Sequence, residues 1–170
     1  MIKIIVTFVT CFVSVLMIVL AFATTHWNQH TTREAGFDAN QIHYHHEGLF
    51  ERCFDVYEND TFVDSKSNCM NIDIEAWNVI VMILLGISML FFILAFVFAT
   101  VYSFYTRRSK YPLVTNCSLV GLAALGAFIA MMIYTFKLWE NDVFFSWSYG
   151  AGWTTVAMAL IGIVLIMADR

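Results

Sequence analysis

Residues 76–106 read AWNVIVMILLGISMLFFILAFVFATVYSFYT, a run with no Asp, Glu, Lys, Arg or His. A helix rises about 1.5 Å per residue and needs about 20 residues to cross a hydrocarbon core. This run is long enough, and a small soluble core could not hide it. Three more uncharged runs, 4–25, 111–136 and 143–168, repeat the pattern. In lipid each segment must satisfy its own backbone polar groups, so a helix is expected in each. The expected spans are 4–25, 77–102, 113–136 and 148–168.

Composition agrees with this reading. The 170 residues are 60% apolar and 13% charged, against about 45–50% and 25% in ordinary soluble domains. Nine basic residues against thirteen acidic ones exclude a basic nucleic-acid binder. The four cysteines show no Cys-x-x-Cys spacing, so neither a zinc ribbon nor a redox motif is written here. No nucleophile elbow or Gly-rich phosphate loop occurs, and no ionisable residue lies within a span, where a transport path would need one. The chain is therefore expected to be neither an enzyme nor a pump, and to need no cofactor. Lys3 before the first run and Ala21-Phe22-Ala23 near its end resemble a secretory signal, but a signal's apolar region is about 7–15 residues. The run is longer, and a retained span is expected.

Four spans place both ends of the chain on one side. The short connection 107–110, RRSK, concentrates positive charge as cytoplasmic loops do. Asn59-Asp60-Thr61 is a glycosylation acceptor, usable only outside, whereas Asn116-Cys117-Ser118 falls inside a span and should be silent. A multi-pass plasma-membrane protein with cytoplasmic termini is expected. It forms one membrane domain over 1–170, with an extracellular loop at 26–76, a cytoplasmic loop at 103–112 and a second extracellular loop at 137–147. The outer segments hold twelve acids against four bases.

The first outer loop is too long to be idle. QIHYHH, LFERCFDVY and DTFV are rich in aromatic and β-branched residues with turn formers between them, the pattern of strands. A hairpin turning near Asn59-Asp60 would bring Cys53 close to Cys69. In an oxidising compartment that pair should close, stapling a small sheet that buries little area. Cys11 and Cys117 read as apolar packing residues within spans. The expected fold class is thus membrane α + β, a four-helix bundle carrying a small disulfide-stapled antiparallel sheet.

Trp27, then Gly48-Leu49-Phe50, then Cys53 and Cys69 resembles the signature of the claudin, peripheral myelin protein and epithelial membrane protein superfamily. That signature is a tryptophan, Gly-Leu-Trp and two cysteines in the first extracellular loop. SWSYGAGWTT at 146–155, with Ser148 and Trp153, is similar to the start of the fourth helix in the epithelial and myelin branch. Phe50 stands where the family has tryptophan, and no tail follows Arg170 in this sequence to carry the scaffold-binding motif of most claudins, as expected for a myelin-, epithelial- or invertebrate-type member or for a truncated chain. From the residues themselves, Gly48 allows a tight bend, Leu49 and Phe50 can tuck onto the helix ends, and Trp27 reads as part of the interfacial aromatic belt.

Ala123, Gly126, Ala127 and Ala130 in the third span, and Gly150 and Thr154 in the fourth, are expected as helix-packing positions. His43 and His45 would share one strand face as a weak candidate metal pair, although no companion ligand stands at a convincing spacing. Phe144 and Phe145 in the second outer loop are candidate docking residues. The resemblance implies a binding function with the lipid bilayer and other membrane proteins as partners. One form is cell–cell contact, adhesion or a paracellular barrier at cell junctions, made through the extracellular sheet and copies of the chain; the other is an auxiliary subunit of an ion channel or receptor, as in calcium-channel gamma subunits and AMPA-receptor regulatory proteins.

Overall fold

The computed structural model describes residues 2–32, 41–58, 61–64, 69–72, 75–105, 111–139 and 144–168. Four helices carry the fold: α1 (Ile2–Ala23), α2 (Ala76–Tyr105), α3 (Tyr111–Leu138) and α4 (Trp147–Ala168). Each contains a stretch long and apolar enough to cross a membrane: Ile5–Ala23, Ala76–Val101, Val114–Leu138 and Trp147–Leu165. α3 starts two residues before the expected span, because Pro112 fits the first helical turn, where its missing N–H has no partner to lose. It ends with Lys137 in the last turn, where a cation meets the negative end of the helix dipole.

The helices form a ring in which α1 packs on α2 and α4, and α3 packs on the same two. All four are largely apolar on every side, so hydrophobicity alone does not choose the inward face. Small residues mark much of it. Ala21, Ala95, Ala123, Ala127, Ala130 and Ala159 are fully buried, while Phe12, Leu90, Leu122 and Val164 point to the surroundings of the bundle. In lipid, close backbone approach replaces the hydrophobic drive between helices, and small residues permit it. A Cβ on Gly126 would lie 2.5 Å from Ser88 Oγ, one on Gly152 2.5 Å from Met131 Sδ, and one on Gly162 2.7 Å from Thr10 Cγ2.

The fourth helix corrects one expectation. Gly150 is exposed and a Cβ there would meet nothing within 4 Å. Thr154 turns its hydroxyl onto the Gly150 carbonyl at 2.8 Å. The buried stripe instead runs through Ser148, Ala151, Gly152, Thr155, Ala159 and Gly162. The spacing of 150 and 154 fits one helix face, but the glycines of α4 that close on its neighbours are Gly152, against Met131, and Gly162, against Thr10.

One end of the bundle is capped by a sheet. The chain between α1 and α2 supplies β1 (Asn28–Thr32), β2 (Gln41–Glu47), β3 (Glu51–Glu58), β4 (Thr61–Asp64) and β5 (Met70–Asn71), and the α3–α4 connection supplies β6 (Phe144–Phe145). The order is β4-β3-β2-β1-β6, all antiparallel, with β5 also on β3. Glu58 pairs with Thr61, so β3 and β4 form a hairpin across 59–60. Asn59 itself, and the basic loop 107–110, lie outside the described residues.

β5 pairs Asn71 with Glu51 and Met70 with Arg52. One further step along this ladder sets Cys69 opposite Cys53, and the two are joined by a disulfide. The staple therefore closes the chain segment that returns from the β3–β4 hairpin to α2. Buried residues fall into two groups. The sheet-side group includes Trp27, Leu49, Val81, Leu85, Met131 and Tyr134. The other, deeper in the bundle, includes Cys11, Ile18, Phe92, Ala95, Val120 and Ala159.

Candidate functional site

The junction between sheet and helices is built around Trp27. Its indole is wholly buried, 4.6 Å from the Tyr134 ring and 6.5 Å from Tyr149. The indole N–H donates to the Ala21 carbonyl at 2.6 Å. That carbonyl belongs to the last turn of α1, where no backbone N–H is left to meet it. Trp27 is therefore a core residue that caps the helix behind it, and not a member of a lipid-facing aromatic belt as its position after the first span had suggested. β1 leaves directly from this anchor, with Trp27 N–H bonded to the Glu47 carbonyl at 2.9 Å.

Gly48 opens the β2–β3 hairpin and donates its N–H to the Glu51 carbonyl at 2.8 Å. A Cβ there would lie 2.7 Å from Thr25 Cα and 2.8 Å from the Thr24 carbonyl oxygen. Glycine is required because the hairpin lies directly on the backbone that leaves α1. Leu49 then inserts into the sheet-side core, 1% exposed. Its carbonyl accepts a hydrogen bond from Asn78 Nδ2 at 3.3 Å, which ties the hairpin to the start of α2. Phe50 behaves differently from Leu49. It is 48% exposed and rests one face on Phe22, 6.1 Å away.

The α3–α4 connection is joined to this junction through β6. Asn28 pairs with Phe145 and Gln29 with Phe144. Ser146 N–H donates to the Trp27 carbonyl at 3.0 Å and Ser148 N–H to the His26 carbonyl at 3.2 Å. The Ser148 hydroxyl is buried against that of Thr24. Trp153 stands edge-on to Phe128 at 5.8 Å. The two phenylalanines of β6 part company: Phe145 stacks on Tyr149 at 4.2 Å, while Phe144 is 77% exposed.

The histidines pair across strands rather than along one. His30 stacks on His45 at 4.8 Å and 7°, as the β1–β2 register dictates. His26 stacks on His46 at 4.4 Å. His43 faces Thr32 and Val56 in the ladders, and its side chain lies outside the described residues. Face-to-face stacking turns the in-plane lone pairs of His30 and His45 parallel, an arrangement unlike two ligands converging on one ion. Among the described residues, the group of metal-ligating types close enough to hold an ion is Glu51 with Cys53 and Cys69, and both sulfurs are already spent in the disulfide.

His46 also lies 3.8 Å from Asp55. Burial holds its imidazole below the ordinary histidine range, nearby His26 pushes the same way, and Asp55 partly offsets both. A histidine with a depressed native pKa binds fewer protons folded than unfolded. Its contribution is therefore intact above about pH 6.5 and is lost as pH falls from there towards the native value. Protection factors of the β1–β2 amides, with the intrinsic pH dependence of exchange divided out, should fall as pH drops below about 6.5, and His46→Gln should flatten that dependence. An unchanged pH profile in the variant would remove His46 as its source.

The model of the PMP-22/EMP/MP20/Claudin family matches residues 1–166. The chain is similar to claudin domain-containing protein 2 of Mus musculus, 39% identical over 66 residues, 38% of this chain and 37% of that protein. To the Homo sapiens protein of the same name it is 37% identical over 57 residues, 32% of this chain and 34% of that protein. The matched stretch thus spans about a third of the length of these relatives.

Proposed function

The chain belongs to the PMP-22/EMP/MP20/claudin family, and from that premise we propose that it is a non-catalytic contact protein. Its sheet faces the cell exterior and meets copies of itself on the same or a neighbouring cell. Both termini are then cytoplasmic, the basic loop 107–110 is on the inner side, and Asn59 is available for a glycan. The single observation behind this reading is the β6 edge. β6 ends the sheet path β4-β3-β2-β1-β6, so among the described residues one of its edges has no strand partner. On it Phe144 stands 77% exposed, past the ends of the spans at Leu138 and Trp147. An open strand edge with an apolar side chain is a template for adding another strand.

Expression in cells without endogenous adhesion is expected to cluster them, and Phe144→Ser is expected to return clustering to background at equal surface level. Phe144→Ser clustering like the parent would reject the edge as the contact. A second reading, an auxiliary subunit of a channel or receptor, draws on the exposed Phe136 and Trp139 at the sheet-side end of α3, 69% and 74% exposed. It predicts no clustering at all and a large membrane partner that co-elutes in mild detergent.

A further inference from the structure

All five histidines of the chain lie between residues 26 and 46, and four of them are paired ring on ring. His26 stacks on His46 at 4.4 Å and 17°, and His30 on His45 at 4.8 Å and 7°. Consecutive residues of a strand point to opposite faces, so His45 and His46 put one pair on each face of β2. Two neutral imidazoles can share such a stack, whereas two imidazolium cations at that separation repel.

His26 stands where a movement acts on the sheet edge. Its ring also meets Trp147 of α4, at 5.9 Å. Its backbone carbonyl accepts the Ser148 N–H at 3.2 Å, and the next carbonyl, that of Trp27, accepts the Ser146 N–H at 3.0 Å. Those bonds adjoin the two residue pairs that hold β6 to β1. A shift of residue 26 is therefore felt directly at β6.

The charges around the stack do not neutralise it once both rings are protonated. From β3, His46 meets the Asp55 carboxylate at 3.8 Å. The β3 residue opposite it in the ladder, Cys53, is in the cystine and does not titrate. Glu47, next along β2, is engaged by Arg52 at 2.8 Å. From α4 comes the uncharged Trp147, and His26 has no ion-pair partner among the described residues. One carboxylate thus stands against two cations. On the other face, His30 shares a cleft with two acids, Glu47 and Glu75, and two bases, Arg52 and Lys137.

We propose that the His26–His46 stack is an acid-operated latch on the β6 edge: in mildly acidic surroundings both rings become charged, the stack parts, and β6 is released from β1. The latch rests on the contact function proposed above and states how that contact is regulated. Membranes joined at neutral pH separate in acid and rejoin when neutrality returns. Burial, and His26 after it, hold the His46 imidazole below the ordinary range. The closed form therefore resists protons that the open form accepts from about pH 6.5 downwards, and the loss deepens as pH falls.

The test compares the full chain at about pH 7.4 and about pH 5.5. In detergent, protection of the Ser146 and Ser148 amides, with the intrinsic pH dependence of exchange divided out, should fall about tenfold, the scale of one extra proton taken up by the open form over about one pH unit. His26→Phe and His46→Phe keep a ring in the stack that cannot be charged. The fall should be smaller in each and absent in the double variant. Asp55→Asn removes the carboxylate that favours the His46 cation in the closed form, so it should deepen the fall. On cells without endogenous adhesion, parent clusters should disperse in acid and re-form at neutral pH, while the double variant stays clustered. A parental fall in the double variant, or acid dispersal of the parent with Ser146 and Ser148 protection unchanged, would overturn the latch. Failure to cluster at neutral pH would sink the contact function alone, because amide protection decides the latch without it.

Discussion

Trp27→Ala is expected to lower the stability of the sheet-side core by about 3–5 kcal/mol, the cost of emptying a buried indole site. The reason is that one side chain performs three tasks. It fills the space between α1 and Tyr134, caps the Ala21 carbonyl, and starts β1 in register with Glu47. Trp27→Phe separates these tasks, because the ring volume largely stays while the N–H is lost. That variant should cost about 1–3 kcal/mol, the range for a buried acceptor left without its donor. Thermal unfolding in detergent, read by circular dichroism, orders the parent, Phe and Ala proteins. Equal stability of the parent and Trp27→Phe would show that the Ala21 carbonyl needs no cap from this residue.

Opening the Cys53–Cys69 bridge with a double serine variant is the second large effect. The bridge closes 16 residues of chain, and a loop of that size corresponds to roughly 3 kcal/mol in the chain-entropy account. About 1.4 kcal/mol is a factor of ten in an equilibrium, so amides of β3 and β5 should exchange roughly a hundredfold faster. The helical spans should keep their protection, because the bridge joins β3 to the segment leading into β5 and Cys53 belongs to neither buried group of the bundle. Free thiols at 53 and 69 in the native protein, found by alkylation without reductant, would contradict the bridge outright. The site also explains why β5 can be only two residues long: its ladder to β3 is held in place by the covalent link one residue away.

Much of this architecture was legible because it rests on local signals. Absence of charge over 76–106 and its three counterparts is enough to imply spans, since the bilayer imposes a length and tolerates little else. Strands β3 and β4 and their turn followed from aromatic and β-branched runs broken at 58–60. Pairings between distant segments carried no such mark. Nothing in VFF at 143–145 announces that two of those residues extend the sheet beside Asn28 and Gln29. Trp27 was placed in the lipid interface because its position after a span fits that role equally well, and only the closing of Tyr134 and Tyr149 around it makes it core. The histidines illustrate the same limit: adjacency in HYHH suggested His43 with His45, whereas the ladder gives His45 to His30 and His46 to His26.

The β6 ladder has a mechanical consequence. The sheet is tethered to α1 through β1, to α2 through β5 and its cystine, and to α3 and α4 through β6. A tug on the sheet is therefore shared among all four rods. The shortest ladder in that harness without a disulfide beside it is β6, held by two residue pairs and by the Ser146 and Ser148 N–H bonds to the Trp27 and His26 carbonyls. Under tension it is the strand that peels first, which would free the α3–α4 connection while the rest of the sheet stays moored.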